Sequence, residues 1–225
     1  MLNAAIAIAA KDLRLLLSRG TGLVQALLLG LLLIFVFSLS QRVGEVMGPQ
    51  GAAAIFWLAS AFCQVLIFNT LFSIEEANGA RFGLLLAPVP VQAVWLGKGI
   101  AGFTLLLCAQ AVFLPAAIVF LGQTVSPLWH VGLATVLLAD VGIVALGALL
   151  GALSQGQAAR ESLLSIVLFP LLVPVLLAGI RVGAAAFADD IPEGVESWLG
   201  LVAAFDALFL GAGIVLFPFV YGGEE

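Results

Sequence analysis

The sequence predicts an all-α integral membrane protein with six transmembrane helices. Six apolar stretches occupy most of the 225 residues, and each can cross a hydrocarbon core of about 30 Å as a helix rising about 1.5 Å per residue. Hydrophobic residues make up 63% of the chain and charged residues 9%, the reverse of what a soluble surface requires. The alternation typical of transmembrane strands is missing. The predicted spans are residues 22–39, 52–72, 99–121, 128–153, 163–180 and 198–220.

Residues 1–20 predict an amphipathic helix at the membrane surface. Apolar side chains recur there at steps of three and four residues on one face, namely Ile6, Ala10, Leu13 and Leu17. Lys11 and Arg14 lie on another face. The alternative is a flexible basic flank. Because these charges follow the first short apolar stretch rather than precede it, the segment differs from a secretory signal peptide.

The distribution of basic residues predicts the orientation. Six of the eight Lys and Arg side chains fall on the side of the membrane that holds the N-terminus. They are Lys11, Arg14, Arg19, Arg81, Lys98 and Arg160. The positive-inside rule therefore predicts that both termini are cytoplasmic. The net charge of −5 lies largely in residues 189–196 and in the C-terminal tail, and it offers nothing that would attract nucleic acid.

Residues 73–98 form the one long cytoplasmic connection and predict a coupling segment. Glu75 and Glu76 open it, Arg81 and Phe82 follow, and a Pro-Val-Pro sequence at residues 88–90 ends it. A short helix with an apolar face and flanking charges is suited to docking on a soluble partner. We expect the four named side chains to contact that partner. A short helix lying along the membrane interface is the alternative.

Two carboxylates fall deep inside predicted spans. At the depths of Asp140 and Asp206, a bare carboxylate costs at least ~2.5 to 3.5 kcal/mol, so both must face protein or water. They are candidates for an intramembrane pathway. The alternative is that they are neutral, or bonded to a neighbouring Ser, Thr or Gln.

Pro170 and Pro174 mark the fifth span as a candidate hinge. Each proline removes a backbone donor and frees a carbonyl one turn earlier, so we expect a kinked or broken helix. A re-entrant pair of short helices is the alternative.

Three segments carry a resemblance to a known family. They are Lys11-Asp12-Leu13-Arg14, the run from Glu75-Glu76 through Leu84-Leu85-Leu86-Ala87-Pro88-Val89-Pro90 to Lys98, and Leu163-Leu164-Ser165-Ile166-Val167-Leu168-Phe169-Pro170-Leu171-Leu172-Val173-Pro174. With six spans and a surface helix before them, they resemble ABC transporter membrane subunits of the type-2 permease architecture. More narrowly, they resemble the B subunit of the cytochrome c maturation haem exporter, the CcmB family.

The resemblance implies a permease subunit in the bacterial inner membrane, used for haem export or haem-chaperone release in cytochrome c biogenesis. The implied partners are a separate ABC ATPase, a second copy of the chain, other cytochrome c maturation subunits, a periplasmic haem chaperone and membrane lipid. Haem would be cargo, no cofactor would be bound covalently, and the ATPase would bind ATP. The sequence agrees with a non-enzymatic subunit, since it contains no G-x-x-x-x-G-K-[ST]. The alternatives are a type-2 permease for a lipid, polysaccharide or drug, and a secondary transporter; only one half has a proline-broken helix.

His130 and Trp129 are the candidate haem contacts. His130 is the only histidine and lies at the outer edge of the fourth span. Imidazole is a common axial haem ligand. Trp at a membrane interface is nevertheless ordinary anchoring, which explains the pair without haem. We expect haem ligands in a partner subunit, and the sequence contains no catalytic or metal-binding motif.

Overall fold

The computed structural model describes residues 1–41, 46–77, 79, 83–84, 86–155, 160–188 and 192–222. Over these residues the chain is helical and contains no strand. The helices are α1 (Leu2–Arg19), α2 (Thr21–Leu39), α3 (Pro49–Ala77), α4 (Val91–Phe120), α5 (Trp129–Leu153), α6 (Arg160–Gly183) and α7 (Val195–Gly222), with a 3₁₀ turn at Ala184–Ala186. By length and composition, α2 to α7 are each suited to cross a membrane. The predicted fold class is confirmed.

The helices extend beyond the apolar windows at the connection between α3 and α4. Helix α3 continues to Ala77, and α4 already begins at Val91. Nothing in residues 73–77 stops a helix, whereas Gly79 has a φ of 62° that favours glycine. Pro90 then adopts an extended backbone directly before α4. The predicted 73–98 segment therefore overlaps both flanking helices, since residues 73–77 belong to α3 and residues 91–98 belong to α4.

Helix α3 lies at the centre of the bundle, where its aromatic side chains pack against glycines of its neighbours. A Cβ atom on Gly102 of α4 or on Gly147 of α5 would collide with the Phe68 ring. In the same way, a Cβ atom on Gly179 of α6 would collide with the Trp57 ring. Small residues let helices approach closely in a membrane, where lipid tails are as apolar as the side chains. These glycines fix the positions of α4, α5 and α6 around α3.

The connections at one end of the bundle bond to one another. The Ser38 hydroxyl donates to the Phe120 carbonyl oxygen at 2.6 Å. The Ser126 backbone N–H donates to the Ala186 carbonyl oxygen at 3.0 Å. These bonds bring the ends of α2, α4 and α6 to one side, as six successive crossings require. We call this side the loop end.

Candidate functional site

Four charged side chains meet at the opposite end of the bundle. The Lys98 Nζ atom lies 2.8 Å from Glu75 Oε1 and 3.0 Å from Asp12 Oδ2. The Lys11 Nζ atom lies 2.9 Å from Asp12 Oδ1 and 3.2 Å from Glu75 Oε1. Two positive and two negative groups make the arrangement neutral. We call Lys11, Asp12, Glu75 and Lys98 the charge network.

Further contacts extend the charge network to the C-terminal helix. The Tyr221 hydroxyl of α7 donates to Glu75 Oε2 at 3.2 Å. Lys98 Nζ also donates to the Leu71 carbonyl oxygen at 3.0 Å and lies 5.1 Å from the centre of the Phe72 ring. One polar cluster therefore connects α1, the end of α3, the start of α4 and the end of α7.

The packing of α1 on α4 positions Asp12 for this network. A Cβ atom on Gly97 would lie 2.9 Å from the Ala5 carbonyl oxygen, so only glycine allows this close approach. The buried residues of α1 recur at steps of one, three and four along the face that meets α4: Ala5, Ile8, Ala9, Asp12 and Leu16. A carboxylate in this otherwise apolar face is thereby brought beside the Lys98 ammonium group.

The apolar stripe predicted on α1 lies largely on a different face, and of its members Leu13 packs against the core. Ile6 is 52% exposed and Leu17 is 63% exposed. These side chains point away from the bundle and leave an apolar surface on the outside of α1. The sequence pattern identified this outer face but not the buried one, because the buried face combines small residues with a charge.

Burial makes the pairing in the charge network energetically decisive. Lys98 is 0% exposed and Glu75 is 1% exposed. A buried ion pair adds little net stability, but leaving one partner unpaired is strongly destabilising. At the half-exposed Lys11, burial lowers the pKa, whereas the hydrogen bond and charge of Asp12 and the charge of Glu75 raise it. The net result is a pKa above the ordinary lysine value, so Lys11 remains charged at neutral pH.

The structure places two of the residues predicted to contact a partner, Glu75 and Glu76, in different environments. Glu75 points inward into the charge network and does not lie on the exposed surface where the sequence placed it. Glu76 is exposed at the end of α3. Leu86, in the following segment, is 87% exposed. Arg81 and Phe82 lie outside the described residues.

Asp12, Lys98 and Tyr221 were not identified from the sequence as members of one site. Asp12 and Lys98 had a sequence signal, since each is a charge flanked by small or apolar residues in a helix. For Tyr221 the one available signal was that it is the only tyrosine in the chain. Neither signal indicates which groups pair.

A second polar group lies in the interior of the transmembrane bundle. The Gln110 Nε2 atom of α4 donates to Asp140 Oδ1 of α5 at 2.9 Å. A Cβ atom on Gly142 would collide with the Asp206 carboxylate of α7, so that side chain packs directly against the α5 backbone. All three polar side chains are buried. The structure thus brings the two predicted carboxylates to the same part of α5.

Helix α6 remains helical through both of its prolines. The helix runs without a break from Arg160 to Gly183, so the re-entrant pair is not present in this structure. Pro170 is exposed and Pro174 is half-buried, whereas Leu168, Leu172 and Val175 are fully buried. The prolines therefore interrupt backbone bonding without forming the core contacts of the helix.

Trp129 and His130 lie at the loop end, where α5 begins. Their rings meet edge to face, with centroids 6.3 Å apart, and both side chains are exposed. Trp129 borders an apolar cavity of about 430 Å³ that Trp57, Phe187 and Gln110 also line. Within the described residues, no three His, Cys, Asp or Glu side chains are grouped closely enough to hold a metal ion.

Comparison with known proteins gives one consistent result. The family model described as "CcmB protein" matches residues 3–224. "Heme exporter protein B" of Rhodobacter capsulatus is 30% identical over 220 residues, covering 90% of this chain and 93% of the relative. The proteins of the same name from Haemophilus influenzae and Paracoccus denitrificans are each 28% identical, covering 93% and 78% of this chain and 91% and 81% of the relatives.

These matches agree with the structure in its main features. The family model spans nearly the whole chain, including both polar groups described above. The described residues include six helices suited to cross a membrane, which make this a multi-pass membrane protein. The chain belongs to the CcmB protein family.

Proposed function

We propose that this chain is the membrane-spanning permease subunit of an ABC transporter that exports haem, or releases a haem-loaded chaperone, during cytochrome c maturation. The names of the relatives support haem as the cargo. Because the sequence has no nucleotide-binding motif, a separate ABC ATPase binds and hydrolyses ATP. A second copy of the chain, other cytochrome c maturation subunits and a periplasmic haem chaperone complete the assembly in the bacterial inner membrane. The chain holds no covalently bound cofactor.

The charge network is the observation that carries this proposal. It joins the last turns of α3 to α1, α4 and α7, directly before the connection that is proposed to face the ATPase. A force on the end of α3 is passed to the other three helices, because moving α3 alone would leave buried charges unpaired. The network thus links a cytoplasmic docking surface to the transmembrane bundle.

The docking surface itself is proposed to include Glu76 and Leu86. Both are exposed, and Leu86 is a large apolar side chain of which 87% is exposed. A large exposed apolar side chain is a typical anchor at the centre of a protein interface, and charged side chains are typical of its rim. Arg81 and Phe82 remain sequence-based candidates for the same surface. Glu75 has the role of a positioning residue inside the network.

Changing the docking surface is expected to weaken the complex. Leu86→Glu combined with Glu76→Lys should lower ATPase affinity about tenfold or more, because an apolar anchor at an interface is worth about 1 to 2 kcal/mol. Co-purification of the ATPase and its stimulation by this chain are the measurements. The matched control is Glu196→Lys, an exposed charge in the first turn of α7 at the loop end. Unchanged binding by the double variant would contradict the proposed surface.

The orientation can be tested by reporter fusions. Because six of eight basic residues lie on the side of the N-terminus, we expect a reporter that is active only in the cytoplasm to work after Glu225 and at Gly156. A reporter that is active only in the periplasm should work at Glu193. The reverse pattern at any of the three positions would overturn the proposed topology.

The cargo is tested by complementation. Cells that lack their own haem exporter B subunit should regain cytochrome c assembly when they express this chain with its ATPase. Open reading frames adjacent to its gene should encode that ATPase and cytochrome c assembly factors. Neighbouring genes for lipid or polysaccharide synthesis, together with failed complementation, would favour a type-2 permease for another cargo.

A further inference from the structure

Three buried polar side chains lie at one depth of the transmembrane bundle. Asp140 and Asp206 are each eleven residues from the loop end of α5 and α7, and Gln110 is ten residues from the loop end of α4. At about 1.5 Å per residue this depth is roughly 15 Å, the middle of a hydrocarbon core about 30 Å thick. Water does not reach lipid-facing groups at this level.

Each of these side chains has one atom without a hydrogen-bond partner among the described residues. The atoms are Asp140 Oδ2, Asp206 Oδ1 and Gln110 Oε1. Asp140 is 0% exposed, Gln110 4% and Asp206 6%. All three atoms are hydrogen-bond acceptors, so the cluster has fewer donors than acceptors. The bond from Gln110 Nε2 to Asp140 Oδ1 uses one amide donor and leaves this shortage in place.

The described residues supply no cation to balance the two carboxyl groups. Every ion pair among them belongs to the charge network, in which Lys11 and Lys98 pair with Asp12 and Glu75. On the other helices around the cluster, Arg181 is exposed at the loop end of α6. Two ionised carboxylates at mid-membrane depth, packed on the same part of α5, would be strongly unfavourable.

We propose that Asp140 and Asp206 form an intramembrane proton-binding site. A proton on either carboxyl group removes one negative charge and converts an acceptor into a donor. It therefore compensates for both the missing cation and the shortage of hydrogen-bond donors. Gln110 completes the site by holding Asp140 from α4. Gly142 completes it by letting Asp206 reach α5. The site does not depend on the identity of the cargo.

Reaction with dicyclohexylcarbodiimide tests the site directly. The acid's oxygen adds to the central carbon of the reagent while the acid's proton moves to a reagent nitrogen, and rearrangement then gives a stable N-acylurea. An ionised carboxylate lacks the proton that this addition consumes. The reagent is apolar, and Gln110 borders the apolar cavity through which it can approach.

We expect the reagent to modify the purified protein in lipid nanodiscs at Asp140 or Asp206, as located by peptide mass spectrometry. The rate should fall about tenfold per pH unit above the midpoint, as for one titrating proton. Asp140→Asn combined with Asp206→Asn should remove the label, and Gly142→Ala should reduce it by displacing Asp206. The exposed Glu196 should instead react with a water-soluble carbodiimide.

Two results would overturn the proposal. One is the absence of label at both aspartates in the wild-type protein at every pH tested, and the other is a labelling rate that does not change with pH. Since both are read from the wild-type protein, they stand even where the double variant fails to accumulate. As an independent readout, the infrared carbonyl band of a protonated carboxyl should be present in the wild type and lost when Asp140 and Asp206 are both replaced by Asn.

Discussion

Lys98→Met is expected to destabilise the protein by about 3 to 5 kcal/mol, because it removes one partner from a buried ion-pair network. Methionine fills a volume similar to that of the lysine stem. The variant would nevertheless leave Asp12 and Glu75 facing only the half-exposed Lys11. Thermal unfolding of the purified protein and its amount in membranes are the measurements. An unfolding temperature equal to that of the wild type would show that the network adds nothing to stability.

Two single variants serve as controls for this effect. Arg14→Gln removes an exposed charge from the same helix as Asp12 and should leave stability within about 0.5 kcal/mol of the wild type. Lys11→Met should have an intermediate effect, because 37% of that side chain is exposed and water can replace it.

A compensated variant separates stability from coupling. Lys98→Met with Glu75→Gln restores neutrality, since Lys11 then faces Asp12 alone, and it should recover a large part of the lost stability. If the network transmits motion, this stable variant should still assemble less cytochrome c than the wild type while binding the ATPase normally. Full recovery of cytochrome c assembly would show that the charge network stabilises the fold but does not transmit motion.

The spans were predictable because membrane crossing depends on a quantity that the sequence states directly, the length of an apolar run. The ends of α3 and α4 were not predictable in the same way. Polar residues such as Glu75 end an apolar window, but they do not end a helix. Helix α3 ends at Ala77, two residues before Gly79, which has a positive φ. Hydropathy therefore located the transmembrane spans but underestimated the lengths of the helices.

The polar groups were predictable as single residues and not as sites. Burial costs alone indicated that Asp140 and Asp206 face the interior. The pairing in the charge network depends on tertiary packing, since Lys11 and Glu75 are 64 residues apart and Tyr221 and Glu75 are 146 apart. Glu75 and Glu76 look equivalent in the sequence, yet their positions on α3 differ by about 100°. That rotation directs Glu75 inward and leaves Glu76 exposed.

Pro170→Ala combined with Pro174→Ala is expected to impair cytochrome c assembly about tenfold while leaving the protein folded. Each alanine restores a backbone donor, so the carbonyls of Ile166 and Pro170 regain bonds one turn later in α6. Proline costs about 3 kcal/mol relative to alanine inside a helix, so the double variant favours a straighter and stiffer rod. Core packing should survive, because the fully buried Leu172 and Val175 are unchanged.

The measurements are the level of assembled cytochrome c and the amount of variant protein in the membrane. His130→Ala is the matched control: its side chain is exposed at the end of α5, and aromatic anchoring by Trp129 explains that position without haem. It should leave assembly near normal. If the proline double variant supports normal assembly, α6 is not a hinge. If His130→Ala abolishes assembly and a haem absorption band of the purified protein, haem binding belongs to this chain.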